Sequence, residues 1–60
     1  MRIAQVEFAR WKRSVDFEIS KRVGGLTADD LPDVDYWSMW QEGKTPKQAA
    51  GRAIKNAEEL

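Results

Sequence analysis

Phe8, Trp11, Val15, Ile19 and Val23 recur at spacings of three, four, four and four, the period of one face of an α-helix. The stripe predicts a long helix over about residues 4–23. Gly24-Gly25 follows it directly. Glycine tolerates the left-handed backbone that closes a helix, and Lys21 and Arg22 suit the negative end of the helix dipole. This is the sharpest boundary in the chain.

Residues 26–33 read as a connector. Thr27 can cap a short turn with Asp30 three residues on, in the capping-box position, and Pro32 pushes Leu31 toward an extended conformation. Asp33 is placed to cap a second helix over about 34–42, ended by Gly43, with Tyr36, Trp37 and Trp40 crowding its inner side. Thr45-Pro46 opens a third helix in the order expected of a cap followed by proline at the first helical position. Ala49, Ala50, Ala53, Ile54 and Ala57 form its apolar stripe, small enough for tryptophan rings to lie across it. The expected fold is all-α: one domain, residues 1–60, of three helices gathered around Trp11, Trp37 and Trp40.

Composition then limits how such a fold is held. Sixty residues lie near the lower bound for independent folding, where only about 60% of the unfolded surface is hidden. Cysteine and histidine are both absent, which removes disulfides, thiol nucleophiles, nearly all structural zinc patterns and the usual general base. Stability must come from packing, and three tryptophans, two phenylalanines and one tyrosine supply the bulk. No long apolar run and no secretory pattern is present, so a cytoplasmic location is expected.

Ten acidic and ten basic side chains cancel but are blocked by segment. Residues 1–25 carry Arg2, Arg10, Lys12, Arg13, Lys21 and Arg22 against Glu7, Asp16 and Glu18, a net +3. Residues 26–43 carry Asp29, Asp30, Asp33, Asp35 and Glu42 with nothing basic, a net −5. The remainder, with Lys44, Lys47, Arg52 and Lys55 against Glu58 and Glu59, is +2.

The aspartate cluster invites a calcium or magnesium reading, yet an EF-hand loop started at Asp33 meets Trp37 where a ligand belongs. Capping and dipole complementation explain the cluster without a metal. Nothing sets one carboxyl apart from another as acid and base require, and no phosphate loop, serine elbow or zinc motif occurs. The sequence therefore predicts no enzyme, no catalytic residue, no cofactor, no metal site and no small-molecule substrate.

What remains is the back of the first helix. Val6, Arg10, Arg13, Phe17 and Lys21 fall together at 100° per residue, opposite the apolar stripe, with Phe17 about 180° from Phe8. Aromatic side chains beside arginine are the usual composition of interface anchors. These five residues are the candidate partner-binding set, and the partner expected is another protein or a second copy of the chain. A nucleic-acid alternative would use the basic faces of helices 1 and 3, against a net charge of zero. As a helix-turn-helix the chain fits poorly, because Glu42 and Lys44 flank the turn glycine where apolar residues belong.

Three segments also carry a family pattern: Trp11-Lys12-Arg13-Ser14-Val15-Asp16, then Gly25-Leu26-Thr27-Ala28-Asp29-Asp30-Leu31-Pro32-Asp33, then Gly43-Lys44-Thr45-Pro46-Lys47-Gln48-Ala49-Ala50. With W-x3-V-D, GLTxDDLPD, an aromatic pair and GxTPxxAA, spanning most of residues 11–57, the chain resembles a family of short uncharacterised proteins of bacterial genomes and phages. The resemblance brings no functional residue with it. It implies a stand-alone accessory protein of a phage or mobile element that binds and modulates a larger host component.

Overall fold

The computed structural model describes residues 2–59, Arg2 by its backbone alone. Three α-helices and one 3-10 turn follow in chain order: α1 Arg2–Arg22, the turn Ala28–Asp30, α2 Tyr36–Gln41 and α3 Pro46–Glu58. No strand occurs among the described residues, and the fold is all-α, with a long first helix and a short middle one. No helix among them is long and apolar enough to cross a membrane.

The helix ends follow from local chemistry. Gly24 takes φ +47°, and the Gly25 N–H donates to the Ser20 carbonyl at 3.3 Å, the long bond of a Schellman ending. Gly43 repeats the device at φ +83°, its own N–H reaching Trp40 O and the Lys44 N–H reaching Met39 O, both at 3.0 Å. At the start of α3, Gln48 N–H donates to Thr45 Oγ1 at 3.1 Å and Thr45 N–H donates to Gln48 Oε1 at 2.9 Å, a complete capping box.

In the connector, the Asp30 carboxylate accepts from the Thr27 N–H at 2.9 Å and from its hydroxyl at 3.4 Å. The Ala28 N–H donates to Asp16 Oδ1 at 2.9 Å, which ties the connector to the middle of α1 and buries Ala28.

The second helix departs from the sequence expectation. It starts at Tyr36 rather than residue 34, and its cap is Asp35 instead of Asp33. Both aspartates could accept from backbone two or three residues on, so tertiary packing decides between them. A start after Asp35 leaves Val34 outside the helix and packed on the core, and sets Tyr36 within it. The Asp35 carboxylate then takes both the N–H and the hydroxyl of Ser38, at 3.0 and 2.9 Å.

The core also differs. Val15 and Ile19 of α1 and Ala49, Ala50 and Ala53 of α3 are completely buried, and α1 makes its most extensive contact with α3. Alanines bring the two helices close, and β-branched side chains fill the narrow seam. Tryptophan rings are too large for it. Trp11, Trp37 and Trp40 gather instead around Phe8, with centroid separations to that ring of 5.9, 5.0 and 5.6 Å. This second cluster is half-buried, and Trp37 remains 41% exposed. The Trp11 indole N–H donates to the Lys44 carbonyl at 2.9 Å, fastening α1 to the α2–α3 turn.

Candidate interaction surface

Because Val15 and Ile19 fix which side of α1 faces α3, the helical repeat fixes what faces away. Val6 (50% exposed) and Phe17 (63% exposed) stand on that outer side, and Arg10, Arg13 and Lys21 are exposed with them. The structure thus brings all five candidate residues onto one solvent-facing stripe. Lys21 Nζ lies 5.2 Å from the Phe17 ring centroid and 3.5 Å from Glu18 Oε2. That is the one ion pair among the described residues; Arg10 and Arg13 project without a carboxylate partner there.

Ile3, 72% exposed, lengthens the stripe by one turn. It sits three residues before Val6, and a helix started at residue 4 leaves it out; the i, i+3 spacing was the signal. Every side chain from Ile3 to Glu7 is exposed, so the first turns of α1 have no covering among the described residues. At about 1.5 Å per residue, Ile3 to Lys21 runs along roughly 27 Å of helix surface.

The acidic segment forms a different surface. Asp29, Asp30, Asp33, Asp35 and Glu42 are all exposed, as are Leu26 and Trp37. The two hydrogen bonds from Ser38, backbone first, hold the Asp35 carboxyl below the usual carboxylate range. Burial, and then the charges of Asp16, Asp33 and Asp29, push the Tyr36 phenol up. Its hydroxyl is buried with no hydrogen-bond partner among the described residues, and Lys12 Nζ lies 4.7 Å from its ring centroid.

A groove of about 360 Å³ between α2 and α3 is lined by residues that include Asp33, Asp35, Glu42, Lys44, Arg52 and Asn56. Its three carboxylates are exposed, and the burial that would divide a carboxylate pair into acid and base is missing. No group of three or more acidic side chains among the described residues converges as a metal shell would. Comparison with protein-family models, curated proteins and solved structures finds no match.

Proposed function

We propose that this chain is a small non-enzymatic protein-interaction module that docks another protein through the outer face of α1. The carrying observation is the stripe itself: Ile3, Val6 and Phe17 keep half or more of their surface in water on a helix whose opposite side already supplies the core. A fold needs no apolar residues there. Exposed aromatic and aliphatic groups with arginines between them have the composition of a contact patch, in which large side chains anchor and guanidinium groups orient. The motif resemblance supports the same reading, with a phage or mobile-element accessory protein modulating a larger partner.

Nucleic acid is the weaker reading on geometry. Of the basic residues of α3, Arg52 lines the groove that also holds Asp33, Asp35 and Glu42, carboxylates that oppose a phosphate backbone there, and the α1 stripe lies on the side of its own helix away from Val15 and Ile19. The net charge of zero leaves neither face a clear excess over the acidic segment.

Affinity capture with the immobilised chain tests the proposal. The double variant Phe17→Ala, Arg13→Glu is expected to lose the proteins that the wild type retains, with an unchanged helical circular dichroism spectrum. Equal retention by both overturns the assignment of this face, and a loss of helicity would show that the face belongs to the core.

A further inference from the structure

The blocked charges suggest which protein this face accepts. Within the chain, the acidic segment is held on the inner flank of α1: Ala28 N–H bonds to Asp16, and Tyr36 lies under Lys12. Both anchors sit on the flank of Lys12 and Asp16, and no ion pair joins the basic stripe to the acidic segment among the described residues. The single ion pair among the described residues, from Lys21 to its neighbour Glu18, leaves the two blocks uncompensated. Each also carries exposed apolar groups: Ile3, Val6 and Phe17 on one, Leu26 and Trp37 on the other.

We infer that the occupant of the α1 stripe is the acidic segment of a second copy of this chain, in a head-to-tail contact. The inference rests on the reading of the stripe as a binding face and concerns its occupant when no larger partner is bound. Two stripes facing each other would bring two basic faces together, and like charges at an interface are unfavourable. Stripe against acidic segment sets Arg10, Arg13 and Lys21 against Asp29, Asp30, Asp33, Asp35 and Glu42. The stripe and the acidic segment are different surfaces, so each copy offers both a donor and an acceptor face to its neighbours.

The solution mass of the purified chain, measured over a concentration series at about 0.05 M and about 0.5 M salt, tests this. Mass is expected to rise with concentration at low salt, with association about tenfold weaker at high salt. Two variants divide the contact. Arg10→Glu with Arg13→Glu makes both surfaces acidic, and Asp29→Lys with Asp33→Lys and Glu42→Lys makes both basic, three lysines then standing against Asp30 and Asp35; none of these five side chains makes a capping hydrogen bond, and helicity is followed in parallel. Each variant alone is expected to remain one chain, and an equimolar mixture to associate again, because every contact then pairs opposite charges. A wild-type mass fixed at one chain overturns the inference, as does association indifferent to salt or a mixture that fails to associate. These outcomes concern the purified chain alone, so capture of a different protein through the stripe would still stand without them.

Discussion

Val15 and Ile19 on the inner face of α1 lose all exposure, while Phe17, between them in sequence, keeps 63% of its surface in water. The three residues share a helix, a backbone geometry and apolar chemistry. What separates them is angle alone, about 100° per residue, and that angle divides the helix into a face fixed by packing and a face that packing leaves free. The inner face is filled by the alanines of α3, whose small side chains leave no space for anything larger than Val and Ile. The outer face holds apolar groups that no element of the fold covers. Stability and binding are thereby assigned to opposite sides of one helix, and substitutions on the two sides should fail in different ways.

The largest effect is expected inside. Ile19→Ala removes three carbons from a seam with no exposure and leaves a cavity, a change that typically costs about 3 kcal/mol. A 60-residue chain has a total stability of roughly 3–9 kcal/mol, so much of the population should unfold well before the wild type does. Urea unfolding followed by circular dichroism checks this. A midpoint close to that of the wild type would mean that the seam is not where α1 is held, and the division between the faces would collapse.

How far the division was legible in the sequence depends on the range of the interaction. Gly24, Gly43 and the Thr45–Gln48 pair act over three to five residues, and each ends or starts a helix where its identity says it should. The stripe of Val6, Arg10, Arg13, Phe17 and Lys21 was legible for the same reason, since angular position around a helix is a local property. Asp33 and Asp35 were not separable locally: both are good caps, and only the packing of Val34 and Tyr36 chooses. The tryptophans were misplaced because the distance between α1 and α3 is set by the alanine row and is invisible along the chain. A ring that could have lain across alanines lies against other rings instead.

Tyr36 tests an imperfection of the inner face and should have an intermediate effect of opposite sign. Its hydroxyl is buried without a partner among the described residues, and an unsatisfied buried polar group costs about 1 kcal/mol or more. Tyr36→Phe keeps the ring under Lys12 and removes that group, so stability at neutral pH should rise by about 1 kcal/mol. The pH dependence gives a second reading. Because burial raises the phenol above its ordinary value in the folded chain, the folded state binds the proton more tightly than the unfolded one. The wild type should hold its stability below the ordinary tyrosine range, near pH 10, and lose it as pH climbs from there through the raised folded value. The Phe variant should lack that component of the alkaline loss. Since Tyr36 is the only tyrosine, phenolate absorbance follows the same titration directly, and an ordinary midpoint would show that the hydroxyl reaches solvent.

The smallest effect on stability should come from Phe17→Ala, and its smallness is what makes it informative. The ring is 63% exposed, so truncation forfeits little burial. The Lys21 ammonium 5.2 Å from its centroid contributes about 0.5 kcal/mol at a surface site. Alanine returns a similar amount, because it is the better helix former by about 0.5 kcal/mol. The two terms oppose each other, and thermal unfolding should place the variant within about 0.5 kcal/mol of the wild type, the range of ordinary surface substitutions. An unchanged fold combined with lost association would assign Phe17 to a contact between molecules. A destabilisation as large as that of Ile19→Ala would instead place the ring in the core and erase the difference between the two faces.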